Sequence, residues 1–240
     1  MKKALSRISI IIFIVILCTG SGLSRSNIAI GSPNSEIKTS KIGEIKNPDN
    51  SLKLLKAGNE RFQKNQLMQV NLSTTKQEEL VKGQDPIAVI ITCSDSRVPP
   101  EFIFNQGLGD LFVIRVAGNV MDKIELGSVE YAVKYLKTPL IVVMGHDHCG
   151  AVEAAVENEK EQLGNIGAIT DKIEPSVKKV KSKNLQGEKL IEEVTNENIY
   201  NSSRELKESR IIKEELQNGN IKIVEAKYML KSGVVQWFNN

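Results

Sequence analysis

The chain is predicted to fold as an α/β domain, with a mostly parallel central sheet flanked by helices and an antiparallel edge pair at the C-terminus. Three observations carry that prediction. Ile87 to Ile91, Leu111 to Val116 and Leu140 to Met144 are short, continuous runs of apolar and β-branched residues, the pattern of strands buried on both faces. Helical spacing lies between them, most clearly in Gly127 to Leu136, where Val129, Ala132, Val133 and Leu136 recur on one side. The resulting order of strand, helix, strand and helix requires crossover connections, and these make neighbouring strands parallel.

The chain has 240 residues, enough for one large domain preceded by two segments of different character. In residues 1–24, Lys2, Lys3 and Arg7 precede an apolar stretch from Ile8 to Leu17 and then the small residues CTGSG, the layout of a secretory signal peptide. The apolar stretch is well short of the roughly 20 residues a spanning helix needs. Export to a periplasmic or extracellular location is therefore expected, without a stable membrane span once the leader is gone. Cys18 would suit lipoprotein processing, but Leu17 stands where a small residue is required. Losing the leader removes three basic residues and no acid, which takes the formal charge from +3 to 0. A neutral chain without a basic cluster offers no surface for nucleic acid. Residues 25–47 are polar and lack apolar periodicity, so they read as a flexible tether. Residues 48–240 are the expected folded domain.

Within that domain a helix is predicted from about Asp49, just after Pro48, with Leu52, Leu55 and Phe62 on one side, and a second over Lys76 to Lys82. Gly145 is expected to break the Leu140 to Met144 strand. Ile166, Ile169, Ile173, Val177 and Val180 keep a helical stripe that Pro175 should kink or divide. Lys178 to Asn184 and the Gly187 region read as a loop. Leu190 to Gln217 is charged with sparse apolar positions and reads as a solvated helix face. Ile221 to Tyr228 and Val234 to Phe238, joined through Ser232 and Gly233, make the antiparallel edge pair.

Chemistry gathers at the ends of two strands. Cys93, Asp95 and Arg97 follow the first, at alternate positions that share one side of an extended chain, and the C-terminal edge of such a sheet is where open α/β folds place ligands. Leu140 to Met144 is followed by His146, His148 and Cys149, in a turn that should open a helix at Gly150. Thiolate and imidazole together suit Zn²⁺, and two cysteines, one histidine and a carboxylate make four tetrahedral ligands. His148 competes with His146, but a pair three apart in a turn converges, which favours His146 with Cys149. Each residue also has a plain reading: a buried cysteine as a small hydrophobe, Asp95 as a turn cap, Arg97 as a surface charge. Their coincidence outweighs those readings. Apart from Cys18 the chain has two cysteines, it has two histidines, and all four lie at these two strand ends.

CSDSR at Cys93 to Arg97, with GHDHCGA at Gly145 to Ala151, resembles the paired signature of the β-class carbonic anhydrases. The likeness runs roughly from Pro48 to Phe238 and includes GNERF at Gly58 to Phe62, GDLFVIRVAGN at Gly109 to Asn119 and GSVEYAV at Gly127 to Val133. It implies one Zn²⁺ per subunit and reversible hydration of CO₂ to bicarbonate and a proton. Cys93, His146 and Cys149 are then the permanent ligands. Asp95 is either the fourth ligand or an orienting base, and Arg97, able to grip its carboxylate bidentately, sets which. By position, Gln84, Phe112 and Tyr131 match substrate-cleft residues of the plant-type subgroup, and Gly150 is counted with them. The resemblance further implies a homodimer or a multiple of dimers. His148 is a possible proton relay, a role common to histidine as a residue type. Two alternatives share the same ligands: hydrolysis of CS₂ or a related sulfur compound, and a secreted module whose zinc is purely structural.

Overall fold

The structure, a computed structural model, describes residues 46–157 and 164–238. The expected signal peptide at 1–24, and all of the expected tether except its last two residues, lie outside the described residues.

Helix α1, Pro48–Gln63, begins where the sequence calls for it. Asn47 caps it by accepting a hydrogen bond from the Asn50 amide at 2.8 Å, and Pro48 occupies the first turn, where its missing N–H leaves no bond unmade. Helix α2, Thr74–Val81, precedes strand β1, Ala88–Thr92. The short helix α3, Pro100–Ile103, leads to β2, Leu111–Arg115, and a single 3₁₀ turn, Ala117–Asn119, follows. Helix α4, Lys123–Leu136, returns the chain to β3, Leu140–His146. Four helices then intervene: α5, Gly150–Glu157, α6, Ile166–Lys181, α7, Gly187–Glu208, and α8, Arg210–Gln217. Strands β4, Lys222–Tyr228, and β5, Val235–Trp237, complete the described chain.

The sheet runs β2-β1-β3-β4-β5, with parallel pairing up to β4 and antiparallel pairing between β4 and β5. The predicted C-terminal pair is present, with β4 inside the sheet and β5 at its edge. Every residue of β1 and β3 is buried, which accounts for their unbroken apolar sequences. One face carries Ile90, Val142 and Met144 against Leu55 of α1 and Phe104. The other carries Val89, Ile91 and Val143 against Val133 of α4 and Ile199 and Leu206 of α7. Side chains of this size contribute roughly 1.5–3 kcal/mol each when fully buried.

Three sequence expectations need correction. Gly145 does not break β3: the ladder continues through Gly145 and His146, opposite Lys227 and Tyr228. A Cβ on Gly145 would lie 2.7 Å from Cγ1 of Ile199, so the glycine serves the close approach of α7. Pro175 does not divide α6, and Lys178 to Lys181, assigned to a loop, form its last turn. Burial of Ile173, Val177 and Val180 holds that helix despite the lost backbone bond. The third correction is the solvated reading of Leu190 to Gln217. One side of α7 is buried, and Asn198, Ser202 and Ser203 lie on it among Val194, Ile199 and Leu206. Small polar side chains are readily buried when they find hydrogen-bond partners, so counting apolar positions understates such a helix.

Candidate metal centre

Beyond Thr92 the chain leaves β1 and turns sharply. The Asp95 carboxylate accepts from the Arg97 amide at 2.9 Å, an Asx turn, and the Val98 amide bonds to the Asp95 carbonyl at 3.0 Å. Pro99 and Pro100 then start α3. This turn carries Cys93, Asp95 and Arg97 past the C-terminal edge of the sheet. The neighbouring strand β3 delivers His146, and His148 takes a left-handed backbone (φ 50°) that bends the chain into α5 directly after Cys149.

The ligand atoms of Cys93, His146 and Cys149 all lie within 4.8 Å of one another, and all three residues are buried. The two Sγ atoms are 4.0 Å apart. Sulfurs about 2.3 Å from a tetrahedral zinc stand roughly 3.8 Å apart, so the pair fits one ion almost without movement. His146 provides a second test of fit. Its Nδ1 lies 2.7 Å from the Asp147 carbonyl, which requires the proton there. Its Nε2 is buried and has no protein partner. A ring oriented through one nitrogen, with the lone pair of the other aimed at two sulfurs, is how a metal-ligating histidine is held. His146, not His148, is the histidine of the cluster.

The two sulfurs divide their chemistry. Cys93 is held far below its ordinary value, to about 4, first by the hydrogen bond with Cys149 and then, against burial, by His146 and the backbone N–H groups of Asp95 and Gly118. Cys149 is pushed up by the same bond, by burial and by the charge on Cys93, while the amides of Val152 and Ala151 at the start of α5 oppose the rise. The pair thus gives up one proton readily and holds the other, the position a bound cation takes over. Burial disfavours charge on the His146 ring, but the Cys93 sulfur, the Asp147 carbonyl and Asp95 together raise its pKa.

Asp95 belongs to the same site without closing it. Its Oδ2 lies 3.8 Å from His146 Nε2. Arg97 grips both carboxylate oxygens, Nε to Oδ1 at 2.9 Å and Nη2 to Oδ2 at 2.7 Å, and donates also to the His148 carbonyl at 3.2 Å. The Arg97 side-chain bonds are the main reason the Asp95 carboxyl is held down to about 2. The fork predicted from CSDSR is therefore formed, with the carboxylate turned to the guanidinium.

The other singled-out residues are placed as follows. Gly150 is exposed, beside Cys149 at the start of α5, and His148 is exposed next to the cluster. Gln84 lies in the loop before β1, and Phe112 sits on β2 opposite Val89. Val89 is four residues from Cys93, roughly 13 Å at 3.3 Å per strand residue. Tyr131 packs on Phe112 with ring centroids 6.3 Å apart. Within one copy of the chain these three residues are not brought to the sulfurs.

Two groups escaped the sequence reading. Arg115, at the end of β2, donates from Nε to the Cys93 carbonyl at 3.1 Å and from Nη2 to the Asp95 carbonyl, bracing the ligand loop. The Gly118 amide donates to Cys93 Sγ at 3.3 Å. An arginine ending the apolar run in GDLFVIRVAGN was a usable signal for the first, although β2, expected to be buried on both faces, is an edge strand with only Ile114 buried; nothing in the sequence pointed to the second.

Comparison with known proteins points to one family. The carbonic anhydrase family model matches residues 88–235, a span that holds both ligand loops. Carbonic anhydrase 2 of Mycobacterium tuberculosis is 40% identical over 188 residues, 78% of this chain and 91% of that protein. The carbonic anhydrase of Mycolicibacterium smegmatis is 46% identical over 134 residues, 55% of this chain and 65% of its own. Among solved structures, the β-carbonic anhydrase CcaA superposes with a TM-score of 0.65 at 32% identity, covering 69% of this chain and 85% of that one. Parallel sheet, zinc-type ligand set and sequence likeness over most of the chain converge, and the chain belongs to the β-class carbonic anhydrases.

Proposed function

We propose that the protein catalyses the reversible hydration of CO₂ to bicarbonate and a proton at a zinc site held by Cys93, His146 and Cys149. The observation that carries this reading is the Asp95–Arg97 fork beside three converging ligands. A structural zinc closes its coordination with a fourth protein ligand, whereas a catalytic one keeps a position open. Here the Asp95 carboxylate, 3.8 Å from His146 Nε2, is turned to Arg97 instead. Zinc in this setting supplies a water acidified toward neutral pH, less strongly than with three neutral histidines because two thiolates offset its charge.

The chain's own residues do the rest. Asp95, ionised over the whole working pH range, accepts a hydrogen bond from the attacking water and orients it toward the carbon of CO₂. Arg97 holds that carboxylate away from the ligand position and fixes its angle. His148, exposed beside the cluster, can pass the released proton to buffer. Gln84, Phe112 and Tyr131 serve as substrate-cleft residues supplied by a second copy of the chain, since their own sulfurs lie at the far end of β1. Half-exposed Tyr131 and exposed Tyr135 and Ile124 on α4 leave an apolar strip for that contact. A homodimer, or a multiple of it, is the working unit.

The signal-peptide-like pattern of residues 1–24 supports export. In that location zinc would shield both thiols from oxidation. Among the described residues no helix is long and apolar enough to cross a membrane.

The deciding experiment measures zinc per chain together with CO₂ hydration across pH. One zinc per subunit and activity that climbs toward alkaline pH are expected. A metal-free active protein, or rates flat between about pH 6 and 9, would overturn the reading.

A further inference from the structure

We propose that Asn198, on α7, is a positioning residue that aims the Gly118 amide at the Cys93 sulfur and thereby tunes the metal's thiolate ligand. The inference rests on the zinc reading above and extends it to a helix far from the ligand loops in sequence.

The 3₁₀ turn Ala117–Asn119 is closed by one backbone bond, from the Asn119 amide to the Val116 carbonyl at 2.9 Å, and that bond does not by itself offset its strained backbone. Gly118 (φ 68°) and Asn119 (φ 45°) are both left-handed, a conformation that is unfavourable for a non-glycine residue. Contacts from outside the turn add to that bond. Asn198 Nδ2 donates to the Gly118 carbonyl at 2.7 Å, and Ser202 Oγ, one helical turn on, donates to the Asn119 carbonyl at 2.9 Å. From the other side α5 and α6 close in: a Cβ on Gly118 would lie 2.8 Å from Ile173 Cδ1 and 3.2 Å from Ala151 Cβ. The Gly118 carbonyl and amide belong to the two peptide planes flanking one Cα. Fixing the carbonyl therefore restricts where the N–H points, and it points at Cys93 Sγ, 3.3 Å away.

Stability alone gives a poor account of Asn198. The residue is 1% exposed, and its Oδ1 is buried without a hydrogen-bond partner. A buried polar atom left unpaired is unfavourable, so the fold tolerates one half of this amide in order to use the other. An N–H directed at a thiolate ligand withdraws charge from the sulfur, and partners of this outer kind typically alter metal affinity about 10–100-fold.

The test uses the full chain loaded with Zn²⁺ or Co²⁺. Asn198→Leu keeps the approximate shape and removes the donor. Thr195→Val is the control, because the Thr195 hydroxyl bonds only within α7, to the Ile191 carbonyl. Asn198→Leu should keep the wild-type circular dichroism and bind zinc about 10-fold more weakly against a chelator. Its cobalt form should show a displaced sulfur-to-metal charge-transfer band, while Thr195→Val matches wild type in both. A zinc affinity within about twofold of wild type, with the band unmoved, overturns the proposal. Should Asn198→Leu fail to fold, ¹¹³Cd-loaded wild-type protein decides: a proton–cadmium coupling across the Gly118 N–H is expected, and its absence leaves Asn198 nothing to position. Wild-type protein that takes up no zinc refutes the metal reading instead, and so distinguishes the two failures.

Discussion

Arg97→Ala tests the centre of the mechanism. The substitution removes the bonds at 2.9 and 2.7 Å that hold the Asp95 carboxylate, leaving only the one from the Arg97 backbone amide. Two nitrogen or oxygen ligands about 2.0–2.1 Å from a tetrahedral zinc stand roughly 3.3 Å apart. Asp95 Oδ2 and His146 Nε2 are already 3.8 Å apart, so a released carboxylate is close enough to swing in as a fourth ligand. The site then closes. Zinc should remain stoichiometric, because a ligand has been gained, while turnover falls by about 10²-fold, the scale of a misplaced reacting group. Arg97→Lys should recover little, since an ammonium lacks the planar fork. Stopped-flow CO₂ hydration with an indicator dye gives the rate, and elemental analysis gives the metal. An Arg97→Ala protein with full zinc and full turnover would refute the role of the fork.

Three further outcomes follow from the same geometry. Arg97 depresses Asp95 to about 2, so the carboxylate contributes stability that is fully present above its ordinary value near 4 and is lost as pH falls toward 2. In metal-free Arg97→Ala, where no ion can hold the carboxylate, the Asp95 carboxyl carbon should titrate, by NMR, at a higher pH than in the metal-free wild type; an unmoved midpoint contradicts the assigned cause. Stripping the metal should make Cys93, the sulfur that gives up its proton readily, react faster with a small disulfide reagent in mild denaturant than in the zinc form, and equal rates for the two forms would place the metal elsewhere. Gly58→Ala should destabilise the fold by about 3 kcal/mol in urea denaturation, because the added Cβ falls on the Phe104 backbone carbonyl, which cannot swing aside; a loss under about 1 kcal/mol would mean α1 is free to shift.

The site was legible where chemistry and position coincide. Cys93, His146 and Cys149 are rare residue types at strand ends, and a scarce thiol or imidazole stands out from any background. Asp95 and Arg97 were legible for a different reason: at alternate positions after a buried strand they share one side of the chain, and a guanidinium fork matches a carboxylate. Asn198 shows the opposite case. On α7 it resembles any polar residue of a charged helix, and its bond to Gly118 spans eighty residues of chain. Gly145 was misread because a glycine after an apolar run signals a strand end as readily as a close crossing, and only the position of Ile199 separates the two.

Local patterning by itself determined the parallel sheet, the order of its elements, the ligand identities and the Asp95–Arg97 pair, because each depends on neighbours in the chain and on unmistakable side-chain chemistry. Tertiary structure alone decided that Arg97 draws the carboxylate off the ligand cluster and that Arg115 braces the loop from β2. It also decided that α5, α6 and α7 close on the turn that addresses the Cys93 sulfur. Those are hydrogen bonds and contacts between distant segments, whose energies depend on direction and on fractions of an ångström, and no spacing along a sequence encodes either.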